Sequence, residues 1–213
     1  MKFSIEELRP TRNGMTISRD SKLGNSTKVT YFSMGKDTSI SQESYDRMTM
    51  YIGASGWGEF IIGEEPEIIK LQPDELLIVP AGTLCGMQTS NGIVYTEIIC
   101  TGKDINMNAN VKTNEVFALK NLISYEEGSI ANMDVVSTPD MKYVLMAFDE
   151  GTGLTPHRAP GNAIVFALEG KATIGYEGKD YELSEGECFR FEKNGLHSVT
   201  ANGKFKMALL LVL

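Results

Sequence analysis

Residues 143–213 read YVLMAFDEGTGLTPHRAPGNAIVFALEGKATIGYEGKDYELSEGECFRFEKNGLHSVTANGKFKMALLLVL. Apolar residues gather here in short, partly alternating runs, at Met141–Phe148, Ala163–Leu168, Lys171–Tyr176, Glu187–Phe191 and Lys204–Leu213, each bounded by Gly, Asp, Asn or Pro. Alternation sends successive side chains to opposite faces of a pleated chain, so these runs predict short antiparallel strands. Strands at roughly 8 to 12 residue spacing, with no amphipathic helix between them, predict a closed barrel or jelly roll rather than a parallel α/β sheet. The last run, FKMALLLVL (205–213), is almost continuously apolar and predicts a strand at the centre of a sheet, covered on both faces.

The same pattern occurs earlier, between residues 29 and 100. Ile40 falls on Leu154 and Gly56 on Gly170 without a gap; a two-residue indel at the Ile62/Tyr176 turn then brings Leu71 onto Leu183 and Leu76 onto Cys188. One unit is used twice, and the expected division is 1–109 and 110–213. Between the halves, KDINMNANVKTNE (103–115) is polar and Asn-rich and predicts a linker or surface loop. Helix is scarce: Ser4-Ile-Glu-Glu7 has the spacing of a capping box, and FALKNLISY (117–125) suits one short turn.

Composition sets limits on function. The chain has 213 residues, 42% of them hydrophobic, which is enough to build real cores. Its net charge of −8, without a basic patch, argues against nucleic acid and anionic membrane surfaces as partners. No apolar run approaches the roughly 20 residues of a membrane span, and MKFSIEELRP carries acids where a signal peptide is apolar, so a cytoplasmic location is expected. Three widely spaced cysteines, Cys85, Cys100 and Cys188, fit reduced thiols better than a disulfide framework.

The only histidines, His157 and His197, lie in the second half. Histidine is the commonest metal ligand and titrates near neutrality, so the pair marks the place to look for chemistry. Their frame resembles the two motifs of the cupin family, G-x5-H-x-H-x3-E-x6-G and G-x5-P-x-G-x2-H-x3-N. Gly151, His157 and Gly170 match the first, Gly186 and His197 the second. LTPHRAPGNAIVFALEG is also similar to the H-x-A-P-G-D variant of small bacterial cupins, with Asn162 in place of the acid. The resemblance covers the C-terminal half and, through the repeat, implies a bicupin: an all-β chain of two double-stranded, jelly-roll-like barrels of the RmlC-like kind, in tandem, with few helical turns.

By the same resemblance, the histidines would face each other across one barrel and hold a divalent metal such as Zn, Ni, Fe or Mn. The second histidine and the glutamate of the first motif are Ala159 and Ala163 here, and the proline and glycine of the second are Glu192 and Asn194. Two imidazoles alone make a weak site, and Asn162 and Glu192 are the nearby side chains that would have to complete it. In the first half the corresponding positions hold Glu43, Tyr45, Thr49 and Cys85, and Glu43 and Cys85 are expected to be inactive equivalents. The only tryptophan, Trp57, is expected to pack on a sheet.

Two functional readings stay open. In one, a metal at His157 and His197 polarises a sugar or small carboxylic acid. In the other, the barrels bind a small molecule without turning it over, as a sensor or binding module. Either a monomer, with its internal pseudo-dimer, or a homodimer is compatible with the sequence.

Overall fold

The computed structural model describes every residue except 25, 26 and 103, the last being the first residue of the expected linker. Strand takes 61% of the chain and helix 3%, which makes the protein all-β. The described elements begin with β1 (Lys2–Phe3), the helical turn α1 (Ile5–Leu8), β2 (Thr16–Asp20), β3 (Lys28–Met34), β4 (Thr38–Ser44) and β5 (Thr49–Gly56). Then come β6 (Gly58–Ile62), β7 (Glu67–Leu71), β8 (Glu75–Val79), β9 (Leu84–Thr89), β10 (Ile93–Ile99), β11 (Asn106–Met107) and β12 (Val116–Ala118). A 3-10 turn (Leu119–Asn121) leads into β13 (Ile130–Thr138), β14 (Met141–Phe148), β15 (Gly153–Arg158), β16 (Asn162–Tyr176), β17 (Lys179–Ser184), β18 (Cys188–Phe191) and β19 (Leu196–Val212).

The chain forms two compact units. Ile5–Thr101 with Ala109–Ala118 make the N-terminal unit; Met1–Ser4, Gly102–Asn108 and Leu119–Leu213 make the C-terminal one. The reason lies in edge strands. β12 pairs antiparallel with β8, and β1 pairs antiparallel with β18, so each unit completes one sheet with a short strand from outside its main span. Backbone pairing decides where these segments belong, and a polar linker sequence carries no mark of it.

Each unit is a double-stranded β-barrel. In the N-terminal unit the sheet β12-β8-β5-β10-β3-β2 faces the sheet β4-β9-β6-β7. Its core, drawn from both sheets, includes Met34, Tyr51, Phe60, Leu71, Leu77, Met87 and Tyr95. In the C-terminal unit the order is β1-β18-β16-β19-β14-β13-β11, with β17 added to β16 and β15 added to β19. β16 and β19 are long strands that run through both faces of this barrel, so the two sequence runs at Ala163–Leu168 and Lys171–Tyr176 are one strand. The strand bends at Gly170 without ending: its φ is +76°, and a Cβ there would stand 2.1 Å from the Lys204 carbonyl oxygen. Gly56, its repeat partner, has φ +67° and an identical 2.1 Å approach to the Gly92 carbonyl oxygen. Only glycine meets both requirements.

β19 lies between β14 and β16, and most of Phe205–Val212 is buried, as continuous apolar sequence demands. Among the described residues no helix is long and apolar enough to cross a membrane.

Candidate functional site

The two histidines meet, though not across a barrel. β15 and β19 are direct neighbours, and His157 pairs in register with His197. A β-bulge between Leu154 and His157 shifts β15 and sets the rings side by side, their centroids 4.2 Å apart. Each Nδ1 lies within hydrogen-bond distance of a carbonyl two residues upstream, 2.8 Å from Thr155 O for His157 and 3.0 Å from Gly195 O for His197. Nδ1–H donation to those carbonyls leaves both Nε2 atoms as acceptors. His157 is exposed, whereas His197 is buried and stacks on Phe191 with centroids 4.2 Å apart. Burial lowers the His197 pKa, its carbonyl partner opposes that, and His157 lowers it further. His197 also lines a shallow hollow of about 180 Å³ with Tyr176, Lys179 and Asp180.

The expected additional ligands are engaged elsewhere. Asn162 Oδ1 accepts the Lys193 backbone N–H at 2.7 Å, and Glu192 Oε1 takes the Arg190 Nε–H at 2.8 Å. Ala159 and Ala163, at the other ligand positions of the cupin motif that this stretch resembles, are buried methyl groups. Among the described residues no group of three or more His, Cys, Asp and Glu side chains is placed to hold a metal ion. A retained first-row metal needs three or four protein donors, so the donor set here does not fit one.

The barrel behind the histidines is filled. Phe148, Phe189, Phe191 and Phe205 occupy its interior with Met207, Val165 and Ile174. Burying each phenylalanine stabilises the barrel by roughly 1.5–3 kcal/mol and leaves little space for a guest. The repeat places Met34, Leu77, Val79 and Ile93 at the four corresponding positions of the first barrel. Three of these four exchanges put an aliphatic chain where the C-terminal barrel has an aromatic ring, and the fourth puts methionine there. The opposite exchange holds at Tyr51, Phe60 and Tyr95, which stand where the C-terminal barrel has Val165, Ile174 and Met207, and a cavity opens among these rings.

That cavity measures about 210 Å³ and lies within the N-terminal unit. Tyr51, Phe60, Met87 and Tyr95 form its buried floor, Phe32 and Ile40 its half-buried wall, and Ser41 and Glu43 its exposed mouth. Glu43 pairs in register with Cys85, just as His157 does with His197, so the motif positions superpose while their chemistry differs. Both line the cavity, as do Tyr45 and Glu97. Phe32 stacks on Tyr95 at 5.0 Å and Tyr51 tilts against Phe60 at 4.7 Å, a packed aromatic lining.

Glu97 is the group that sequence reasoning missed. It sits on the central strand β10 between Tyr51 of β5 and Thr30 of β3, and is only 4% exposed. Burial drives its carboxyl from the ordinary 4.5 up to about 7, against the opposing pull of Lys28 and a hydrogen bond from Tyr45. Burial and the Glu97 charge in turn push Tyr45 up to about 12. Cys85 is pushed up to about 11 by burial, countered in part by a hydrogen bond from Tyr51. The Thr30 hydroxyl beside Glu97 is buried without a hydrogen-bond partner. A signal existed: in IVYTEII (93–99) Glu97 is the one charge in a run that otherwise reads as a buried strand. A carboxyl poised near neutrality in a cavity can donate or accept a proton and can answer a ligand's charge.

The cupin domain family model matches residues 144–213. Among solved structures, the whole chain is similar to a cupin 2 conserved barrel domain protein from Leptotrichia buccalis, with TM-score 0.87, 24% identity, and coverage of 100% of this chain and 96% of that one. A salicylate 1,2-dioxygenase from Pseudoaminobacter salicylatoxidans aligns at TM-score 0.66 and 10% identity over 88% of this chain and 70% of its own. An oxalate decarboxylase from Bacillus subtilis aligns at TM-score 0.59 and 12% identity over 100% of this chain and 76% of its own. No protein of curated function matches the sequence. The family model covers the C-terminal region, and at these identities the structural likenesses establish the fold alone.

Proposed function

We propose that this protein is a bicupin that binds a small molecule inside its N-terminal barrel. The observation that carries the reading is the 210 Å³ cavity, with an aromatic floor and a buried carboxyl, in the half whose motif positions had lost both histidines. Pockets for drug-sized ligands start at about 300 Å³, so the ligand is smaller than these, of the order of one substituted ring or a short branched chain. The C-terminal barrel, packed with phenylalanine, supports the fold. The protein is then a binding module whose site lies in the N-terminal barrel and not at the histidines.

The test is a screen of small neutral, acidic and basic fragments by saturation-transfer NMR, with Cys85 as an internal reporter. Cys85 is the half-buried cysteine at the cavity, whereas Cys100 and Cys188 are fully buried. Bound fragments should slow its alkylation, and Cys85→Phe, which fills the space, should abolish binding. Failure of every fragment to bind, or equal binding by the filled variant, would refute the reading.

The metal reading of His157 and His197 ranks below it, because Ala159 and Ala163 supply no donors. Its test is metal analysis of untagged protein beside the His157→Ala/His197→Ala double variant. Equal metal content in both removes it.

A further inference from the structure

We propose that the cavity of the N-terminal barrel takes a small organic cation, an amine or quaternary ammonium, held between Glu43 and Glu97 against the aromatic wall. The proposal rests on the reading of this barrel as a binding module and names the chemistry of what it binds.

Charge comes first. Among the described residues the two charged side chains lining the cavity are both glutamates, one exposed at the mouth and one buried, and no Lys, Arg or His lines it. A carboxylate or phosphate ligand would meet like charge at both ends of a partly desolvated space, where Coulomb energies are several times larger than in water. An incoming cation meets opposite charge at both ends.

The walls agree with the charges. Phe32, Tyr51, Phe60 and Tyr95 contribute rings, and aromatic faces attract cations through their quadrupoles, most strongly when the site is dry. The phenol oxygens of Tyr45, Tyr51 and Tyr95 add acceptors. Thr30, register partner of Glu97 and on its side of the sheet, holds a buried hydroxyl with no hydrogen-bond partner, an unmet polar atom next to the carboxyl. A bare metal ion is a poorer occupant, since no three-donor group of His, Cys, Asp or Glu exists among the described residues.

Proton linkage gives the proposal a signature. The groups around Glu97 are Tyr45 and Glu43 from β4 and the turn after it, Cys85 from β9, Tyr51 from β5, Tyr95 from β10 and Lys28 at the start of β3. The tyrosines and Cys85 are all pushed upward and stay neutral at physiological pH. Glu97 is therefore the lining group that changes charge near pH 7. A bound cation favours its ionised form, so binding below that pH releases a proton. Affinity for a permanently charged ligand then rises by up to about tenfold per pH unit, and levels off above about pH 7.

The experiment compares three probes of matched shape by isothermal titration calorimetry of the full chain between pH 5.5 and 8.5: choline, its neutral carbon isostere 3,3-dimethylbutan-1-ol, and 3,3-dimethylbutanoate. Choline should bind at least tenfold more tightly than the alcohol at pH 8, with affinity rising through pH 7, and the acid should bind weakest. Glu97→Gln should weaken choline at least tenfold and flatten its pH dependence. Glu43→Lys, at the exposed mouth, should weaken choline and improve the acid; it tests the charge argument independently of the buried site. If the alcohol binds as well as choline, or Glu97→Gln binds choline undiminished, the cation assignment is overturned while the cavity stands as a binding site. If none of the three binds, the cation assignment also fails, and the fragment screen decides the fate of the cavity reading separately.

Discussion

Raising the pH is expected to destabilise the N-terminal barrel through one residue. Glu97 has an ordinary pKa of 4.5 when the chain is unfolded and about 7 when it is folded, because burial penalises its charge. A carboxyl whose folded pKa is raised contributes stability that is fully present below the unfolded value and is lost as pH climbs through the folded one. The shift corresponds to about 3 kcal/mol in total, with a slope of about 1.4 kcal/mol per pH unit between the two pKa values. Glutamine at position 97 has nearly the same shape and no charge, so the free-energy difference between wild type and Glu97→Gln should change by about 3 kcal/mol from pH 4.5 to pH 8 and stay flat above that. Urea unfolding measures it, and the single tryptophan, Trp57, lies in this unit and reports on it selectively. Lys70 Nζ sits 4.1 Å from the Trp57 ring centroid, a contact that unfolding releases, so the emission should change. If the difference between the two proteins is independent of pH across this range, Glu97 is not buried as the structure places it, and the electrostatic account of the cavity collapses.

Three further outcomes are expected. Gly170→Ala forces a side chain into φ +76° and onto the Lys204 carbonyl oxygen, and should destabilise the C-terminal barrel by at least about 2 kcal/mol, seen as a lowered circular-dichroism melting temperature; an unchanged melt would contradict the bend. In proton NMR, where two histidines make assignment simple, His197 should titrate below 6.5, and His157→Ala should raise its midpoint by removing the electrostatic opposition of its neighbour; no movement would mean that the rings are not coupled. Alkylation of Cys85 in the unliganded protein at pH 8 should run about a hundredfold slower than that of a free thiol and accelerate up to about pH 11, while a fast reaction at pH 8 would refute its buried setting.

Much of the fold can be read from local sequence. Period-two alternation and glycine-bounded runs specify strands wherever they occur, and the repeat of Gly56 on Gly170 marks two bends with one shared steric requirement. The pairing of β1 with β18 and of β12 with β8 is not legible, because strands of two or three residues carry too little pattern to announce a partner. The histidines illustrate both sides. Their motif spacing places them together, but the bulge that makes them neighbours in one sheet depends on backbone geometry that spacing does not encode. Asn162 and Glu192 are near in sequence to the right positions, yet the first accepts the Lys193 N–H and the second pairs with Arg190.

By itself the sequence determined that the chain is all-β, that one unit is used twice, and that the second half keeps two histidines in a frame otherwise stripped of ligands. The tertiary structure alone decided which barrel has room inside. Whether an interior is empty depends on the summed volumes of side chains from strands far apart in the chain, which barrel closure brings together: Phe148, Phe189, Phe191 and Phe205 pack one interior, while a cavity lies among Tyr51, Phe60, Tyr95 and Glu97 in the other. The same closure buries Glu97 beside Tyr45 and Tyr51 and moves its pKa to neutrality. Charge in a sequence is a property of one residue; charge in a cavity belongs to everything packed around it.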